Sequence, residues 1–227
     1  MTIAPPSNDH SIEALCNRSH MISREKGWVN DKDERPLYTS IALMHSELSE
    51  ALEEWRDHKK LDEKYYELSV GEKGAKMTET YSEEAWKERQ RLIQSTHVGG
   101  ELDGRPVVAK PCGIPIELAD LVIRICQRVG TDGNAVEFSE LCAQIHVCAF
   151  TTCPFEEFIT DVHVDLSDAY SALLNGESMQ TTLMHLAHAV QSTFSFCTAN
   201  NVDLWAAIDE KEAYNRTRPM RHGGKKC

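Results

Sequence analysis

The sequence predicts an all-α protein, a helical bundle, on three observations. Apolar residues recur at steps of three and four over long stretches. Signals for strands are few. Glycine and proline fall where helices would begin or end. With 227 residues, 41% of them hydrophobic, the chain can bury a sizeable core.

Residues 1–10 read as disordered. A first helix spans 11–26 and Gly27 stops it. A polar loop follows, up to Pro36. The second helix spans 37–58, with Ile41, Met44, Leu48, Leu52 and Trp55 on one face. Residues 59–110 change character: they are charge-rich, then turn-rich around Gly99-Gly100 and Asp103-Gly104. They read as an insertion at the edge of the core, with a solvated helix over 75–94 and a short hairpin near Val107-Val108. Pro115 opens a third helix that runs to Val129, with Gly130 as its stop. Further helices are expected over 134–150, 155–175, 178–200 and 202–215. The tail, 216–227, is basic.

The segment His45-Ser46-Glu47-Leu48-Ser49-Glu50-Ala51 has a counterpart in His163-Val164-Asp165-Leu166-Ser167-Asp168-Ala169. Glu117-Leu118-Ala119-Asp120 has a weaker one in His185-Leu186-Ala187-His188. Two readings stand. Leu-Ser-x-Ala is common on amphipathic helices; alternatively, residues 155–208 are a second repeat that kept the helix pair and lost its carboxylates.

A formal net charge of -12 argues against nucleic acid or an anionic membrane as partner. No apolar run approaches the roughly 20 residues of a membrane span, and the N-terminus lacks the regions of a signal peptide; a cytoplasmic location is expected. The eight cysteines include no Cys-x-x-Cys pair, and Cys126, Cys142, Cys148 and Cys197 sit in apolar stretches, as reduced core thiols do. Cys142 and His146, four apart, are a weaker candidate metal pair.

The chemistry-bearing residues are acidic. Glu47 and Glu50 share one face of the second helix, and Glu117 and Asp120 repeat that spacing on the third. The third helix is apolar on most sides, so its two carboxylates would be costly to bury without positive charge. A divalent cation supplies it, and carboxylate oxygens from two packed helices suit Mg²⁺, with Mn²⁺ as substitute. Glu53 and Glu54 read as solvated. A di-iron bundle would need Glu-x-x-His pairs, and the sequence has none.

The segments Ile41 to Arg56 and Gly113 to Ile125 resemble the two metal helices of MazG-like nucleoside triphosphate pyrophosphohydrolases, which are related to dimeric dUTPases. The ending Tyr214 to Lys225 is similar to the tail of such proteins. This resemblance implies Mg²⁺-dependent hydrolysis of a nucleoside triphosphate, expected to be a deoxynucleoside triphosphate, to monophosphate and pyrophosphate in nucleotide-pool house-cleaning. It implies that Glu47, Glu50, Glu117 and Asp120 hold the metal. Glu47 or Glu50 would activate water; the sequence leaves that choice open. The long insertion departs from the family pattern.

For the substrate, Arg218, Arg221 and Lys225 in the tail are candidate phosphate clamps. Asn215 is a candidate nucleotide contact or helix cap, and Trp28, Asn30 and Trp55 are candidate pocket residues that packing would explain equally. Lys59, Lys60 and Lys110 are weaker candidates, since isolated lysines are usually solvated. A homodimer is expected, with Phe194 and Phe196 offering apolar surface. The rival readings are a non-catalytic nucleotide-binding or regulatory protein and a purely structural bundle.

Overall fold

Long amphipathic stripes build the helices, and their apolar sides decide how they pack. A computed structural model describes residues 9–29, 35–70, 77–95, 101–102, 105–106, 108–146 and 153–220. Its helices are α1 (Ile12–Glu25), α2 (Leu37–Arg56), α3 (Glu83–Ser95), α4 (Ile114–Thr131), α5 (Ala135–Gln144), α6 (Phe155–Leu174), α7 (Met179–Ala199) and α8 (Leu204–Thr217). Side-chain oxygens of Ser11, Ser178 and Asp203 cap α1, α7 and α8 by accepting from backbone N–H groups three residues on.

The core is a bundle. Helix α4 lies against α1, α2, α7 and α8, and α6 against α2 and α7. Helix α5 bridges α1 and α7. Ile116, Leu118, Leu121, Val122, Ile125 and Cys126 of α4 are all buried, which accounts for a helix apolar on most sides. Each such Leu or Ile stabilises the fold by roughly 1.5–3 kcal/mol relative to exposure. Among the described residues, no helix is long and apolar enough to cross a membrane.

The insertion differs from expectation. It carries a sheet of order β2-β1-β5, made of β1 (Tyr65–Val70), β2 (Met77–Ser82) and β5 (Lys110–Cys112). A two-residue hairpin, β3 (Glu101–Leu102) with β4 (Arg105–Pro106), lies beside it in sequence. The expected helix over 75–94 is therefore strand first and helix only from Glu83. Tyr66 pairs with Tyr81 across β1–β2, and both rings lie against Trp86 of α3, so aromatic pairs hold the sheet to its helix.

Two glycines explain local departures. Gly113, at φ +111°, turns β5 into α4; a Cβ there would stand 2.3 Å from the Glu63 carbonyl oxygen. Gly130 does not stop α4, which continues to Thr131. Its missing side chain instead lets α1 approach, since a Cβ would meet the Cys16 carbonyl oxygen at 2.4 Å.

Candidate metal centre

Helices α2 and α4 pack side by side, so their acidic faces meet. Donor oxygens of Glu47, Glu50 and Glu117 all lie within 4.8 Å of one another, which is a spacing one cation can bridge. Glu47 and Glu117 are buried, while Glu50 is exposed. The fourth expected ligand, Asp120, is not in that convergent set. Its Oδ2 accepts from Lys211 Nζ at 2.8 Å instead.

Burial pushes Glu117 up to about 7; Lys211 opposes the rise and Asp120 adds to it. Glu47 is also raised by burial, against the pull of Arg124, which donates its Nε–H to Glu47 Oε1. Carboxylates that are buried together and held above their ordinary range are short of positive charge. The donor set is all oxygen, which fits a hard divalent ion.

Sequence reasoning missed Lys211. It is 2% exposed on α8, with Nζ 3.9 Å from Glu117 Oε2 as well as bonded to Asp120. Burial acts to lower its pKa, and Asp120 and Glu117 more than reverse that, so the ammonium keeps its charge. The signal was present: Leu204, Ala207, Ile208, Lys211, Glu212 and Asn215 form one buried stripe, and three polar residues in it required partners. Glu212 has its own, since Arg18 and Ser19 of α1 donate to its two oxygens. Arg124, missed likewise, continues the α4 stripe of Glu117 and Asp120.

Lys110 is not simply solvated. Burial acts to lower its pKa, and Cys112, with the carboxylates of Glu117, Glu67 and Glu50, raises it overall. Lys59 sits over the Tyr65 ring, 4.5 Å from its centroid, and Lys60 is exposed. Glu54 is not merely solvated either: it accepts from Tyr65 Oη at 2.8 Å, which ties α2 to the sheet.

The substrate candidates separate. Arg218 lies 5.8 Å from the Trp28 ring centroid and 5.9 Å from that of Tyr214. Asn215 is buried on the Lys211 side of α8, and its Oδ1 has no hydrogen-bond partner among the described residues. It does not cap α8, whose C-cap is Arg218. Trp55 packs against Phe155 and belongs to the core. Asn30, Arg221, Lys225 and Cys148 lie outside the described residues.

Two expectations are corrected. Phe196 is 1% exposed and stacks on Phe158, so it offers no dimer surface, while Phe194 is partly buried against Trp205. Cys142 is buried, its thiol pushed up to about 12, and α5 ends at Gln144, so His146 no longer follows it on the helix. The i, i+4 helical spacing that suggested the pair is therefore absent. No family model, curated protein or solved structure matches the chain.

Proposed function

We propose that this chain is a Mg²⁺-dependent nucleoside triphosphate pyrophosphohydrolase that attacks the α-phosphorus and releases pyrophosphate. The observation that carries the reading is the convergence of Glu47, Glu50 and Glu117 beside a buried, charged Lys211. The resemblance of α2 and α4 to MazG-like metal helices supplies the reaction class. When bound, Mg²⁺ would neutralise the triphosphate and stabilise pyrophosphate as leaving group.

The chain's own residues divide the remaining work. Glu47, Glu50 and Glu117 hold the ion. Asp120 positions Lys211, and Lys211 keeps Glu117 and Asp120 from repelling each other apart. Glu50, the exposed carboxylate, is best placed to take the proton of the attacking water. The water oxygen bonds to the α-phosphorus as the bond from that phosphorus to the bridging oxygen breaks, and the electron pair leaves on pyrophosphate. Arg218, with Arg221 and Lys225 beyond it, binds the departing phosphates. Trp28 and Asn215 face the nucleoside. We also propose a homodimer in the cytoplasm; Leu173, Leu174 and Met179, exposed around the α6–α7 corner, favour an interface there.

A panel of canonical and modified nucleoside triphosphates, with wild type and Glu50→Ala run in parallel, tests the reading. Mg²⁺-dependent pyrophosphate release by wild type and none by the variant is expected. Nucleotide binding without turnover by wild type would favour the non-catalytic alternative.

A further inference from the structure

The sheet of the insertion has two faces, because successive residues of a strand point to opposite sides. Tyr65 of β1 looks toward α2, where its Oη donates to Glu54 at 2.8 Å. Tyr66, the next residue, looks the other way and lines a cavity of about 220 Å³ between the sheet, α3 and α8. Aromatic rings dominate its walls. Tyr66 and Trp86 stack at 5.9 Å between centroids, and Tyr214 of α8 contributes a third ring. The volume falls below the roughly 300–1,000 Å³ of sites for drug-sized ligands, so it suits a single flat ring system.

The polar groups of the cavity decide which ring. Glu210 of α8 lines it, and accepts from Tyr66 Oη at Oε1 and from Lys64 Nζ at Oε2, the latter at 2.9 Å. An ionised carboxylate offers about four acceptor sites, so roughly two remain for a ligand. Trp86 is 4% exposed. Among the described residues, its indole N–H and the Gln90 amide have no hydrogen-bond partner, and both residues line the cavity. A ligand that satisfies this set is flat, donates to Glu210 from an amino group, and accepts at a ring nitrogen or carbonyl. Adenine, cytosine and guanine carry both features, whereas uracil, thymine and hypoxanthine lack the amino group. Lys64 already neutralises Glu210, which favours such a neutral ring over an organic cation.

We propose that this cavity is a nucleobase site, outside the metal centre, for rings that carry an amino group. Tyr66 and Trp86 supply the stacking surface, Glu210 selects the amino group, and Gln90 and Trp86 donate to the ring edge. The insertion, which departs from the pattern of MazG-like proteins, thereby gains a role as the recognition element. Glu210 directly precedes Lys211, so a bound ring would also tie the insertion to the turn of α8 that holds Glu117 and Asp120.

The test uses the full-length protein in EDTA and neutral nucleosides, so that neither metal nor turnover enters the readout. Ligand-observed NMR titrations compare deoxyadenosine with deoxyinosine, and deoxycytidine with deoxyuridine, each pair differing by the amino group. The amino-bearing member of each pair should bind at least about tenfold more tightly, as expected for a hydrogen bond to a charged acceptor. Glu210→Gln should narrow that preference to within about twofold. Ala213→Phe, a change at an exposed residue that lines the cavity, should abolish binding while circular dichroism shows the helices intact. Equal affinity within each pair, binding that survives Ala213→Phe, or no binding at the solubility limit of the nucleosides would overturn the site. The same variant distinguishes the two sources of such a ring. An unchanged triphosphate KM in Ala213→Phe means that the site takes a free nucleoside, and a raised KM means that it takes the base of the substrate. Failure of the hydrolysis assay would leave the NMR result standing, because nucleoside binding does not depend on it.

Discussion

Glu117 offers a test of the metal centre that needs no substrate. The carboxyl is 3% exposed and is pushed from 4.5 up to about 7. Its folded pKa lies above its unfolded value, so the folded chain holds an extra proton between about pH 4.5 and 7. Stability must fall as pH rises through that window, and the cost is fully present above it. At 1.36 kcal/mol per unit, that cost is roughly 3 kcal/mol at pH 8. Glu117→Gln removes the charge and keeps the shape. In EDTA at pH 8 the variant should be more stable than wild type by up to about 3 kcal/mol, or about 6–12 °C in Tm for a chain of this size. At pH 5 the difference should shrink below about 1 kcal/mol. Saturating Mg²⁺ should reverse the order at pH 8, because only wild type gains a ligand-bound state. Calorimetric melts at both pH values, with EDTA and with Mg²⁺, decide the matter. A variant less stable than wild type in EDTA at pH 8 would show that Lys211 and Arg124 already satisfy the cluster, and the argument for an ion would fail.

Three other perturbations reach different parts of the account. Lys211→Met strands Glu117 and Asp120 without their ammonium, so urea melts at pH 8 should show a loss of about 3–5 kcal/mol, the usual cost of removing one partner from a buried pair. The loss should be smaller at pH 5, where Glu117 is protonated; an equal loss at both would mean that lysine packing, not charge, matters. Arg218→Ala should raise KM for the triphosphate about tenfold or more with kcat little changed, as expected for a charge-assisted contact of ~1.5–3 kcal/mol. Steady-state kinetics within twofold of wild type would reduce Arg218 to a packing partner of Trp28 and Tyr214. Light scattering should give a mass near twice 25.6 kDa; a fully active monomer would remove the dimer.

The legible and illegible parts of the sequence differ for physical reasons. Helices α2, α4, α6 and α7 were readable because their buried faces impose a period that survives in the sequence. The carboxylate pairs on α2 and α4 stood out because charge on an apolar helix demands a partner. The partners themselves, Arg124 and Lys211, lie 77 residues from Glu47 and 94 from Glu117 in sequence, and only packing brings them close. Lys211 still left a trace as a polar residue in the buried stripe of α8. The sheet was missed because its strands lie in a segment whose flanks are charge-rich and because β2 buries little: Met77-Thr78-Glu79-Thr80 is largely exposed even though it pairs in register with β1. Gly130 misled because a glycine that permits close approach of α1 and a glycine that ends a helix look alike in sequence. Phe196 reads as free surface only because Phe158, which covers it, comes from another helix.

The central claim is that carboxylates on α2 and α4 direct water onto the α-phosphorus of a nucleoside triphosphate. Hydrolysis in ¹⁸O-labelled water, with both products analysed by mass spectrometry, tests it most directly. The account predicts one labelled oxygen in the nucleoside monophosphate, none in the pyrophosphate, and no labelled product when Mg²⁺ is withheld or Glu50 is replaced by Ala. Label in released inorganic phosphate or pyrophosphate, or turnover that survives without Mg²⁺, would contradict it.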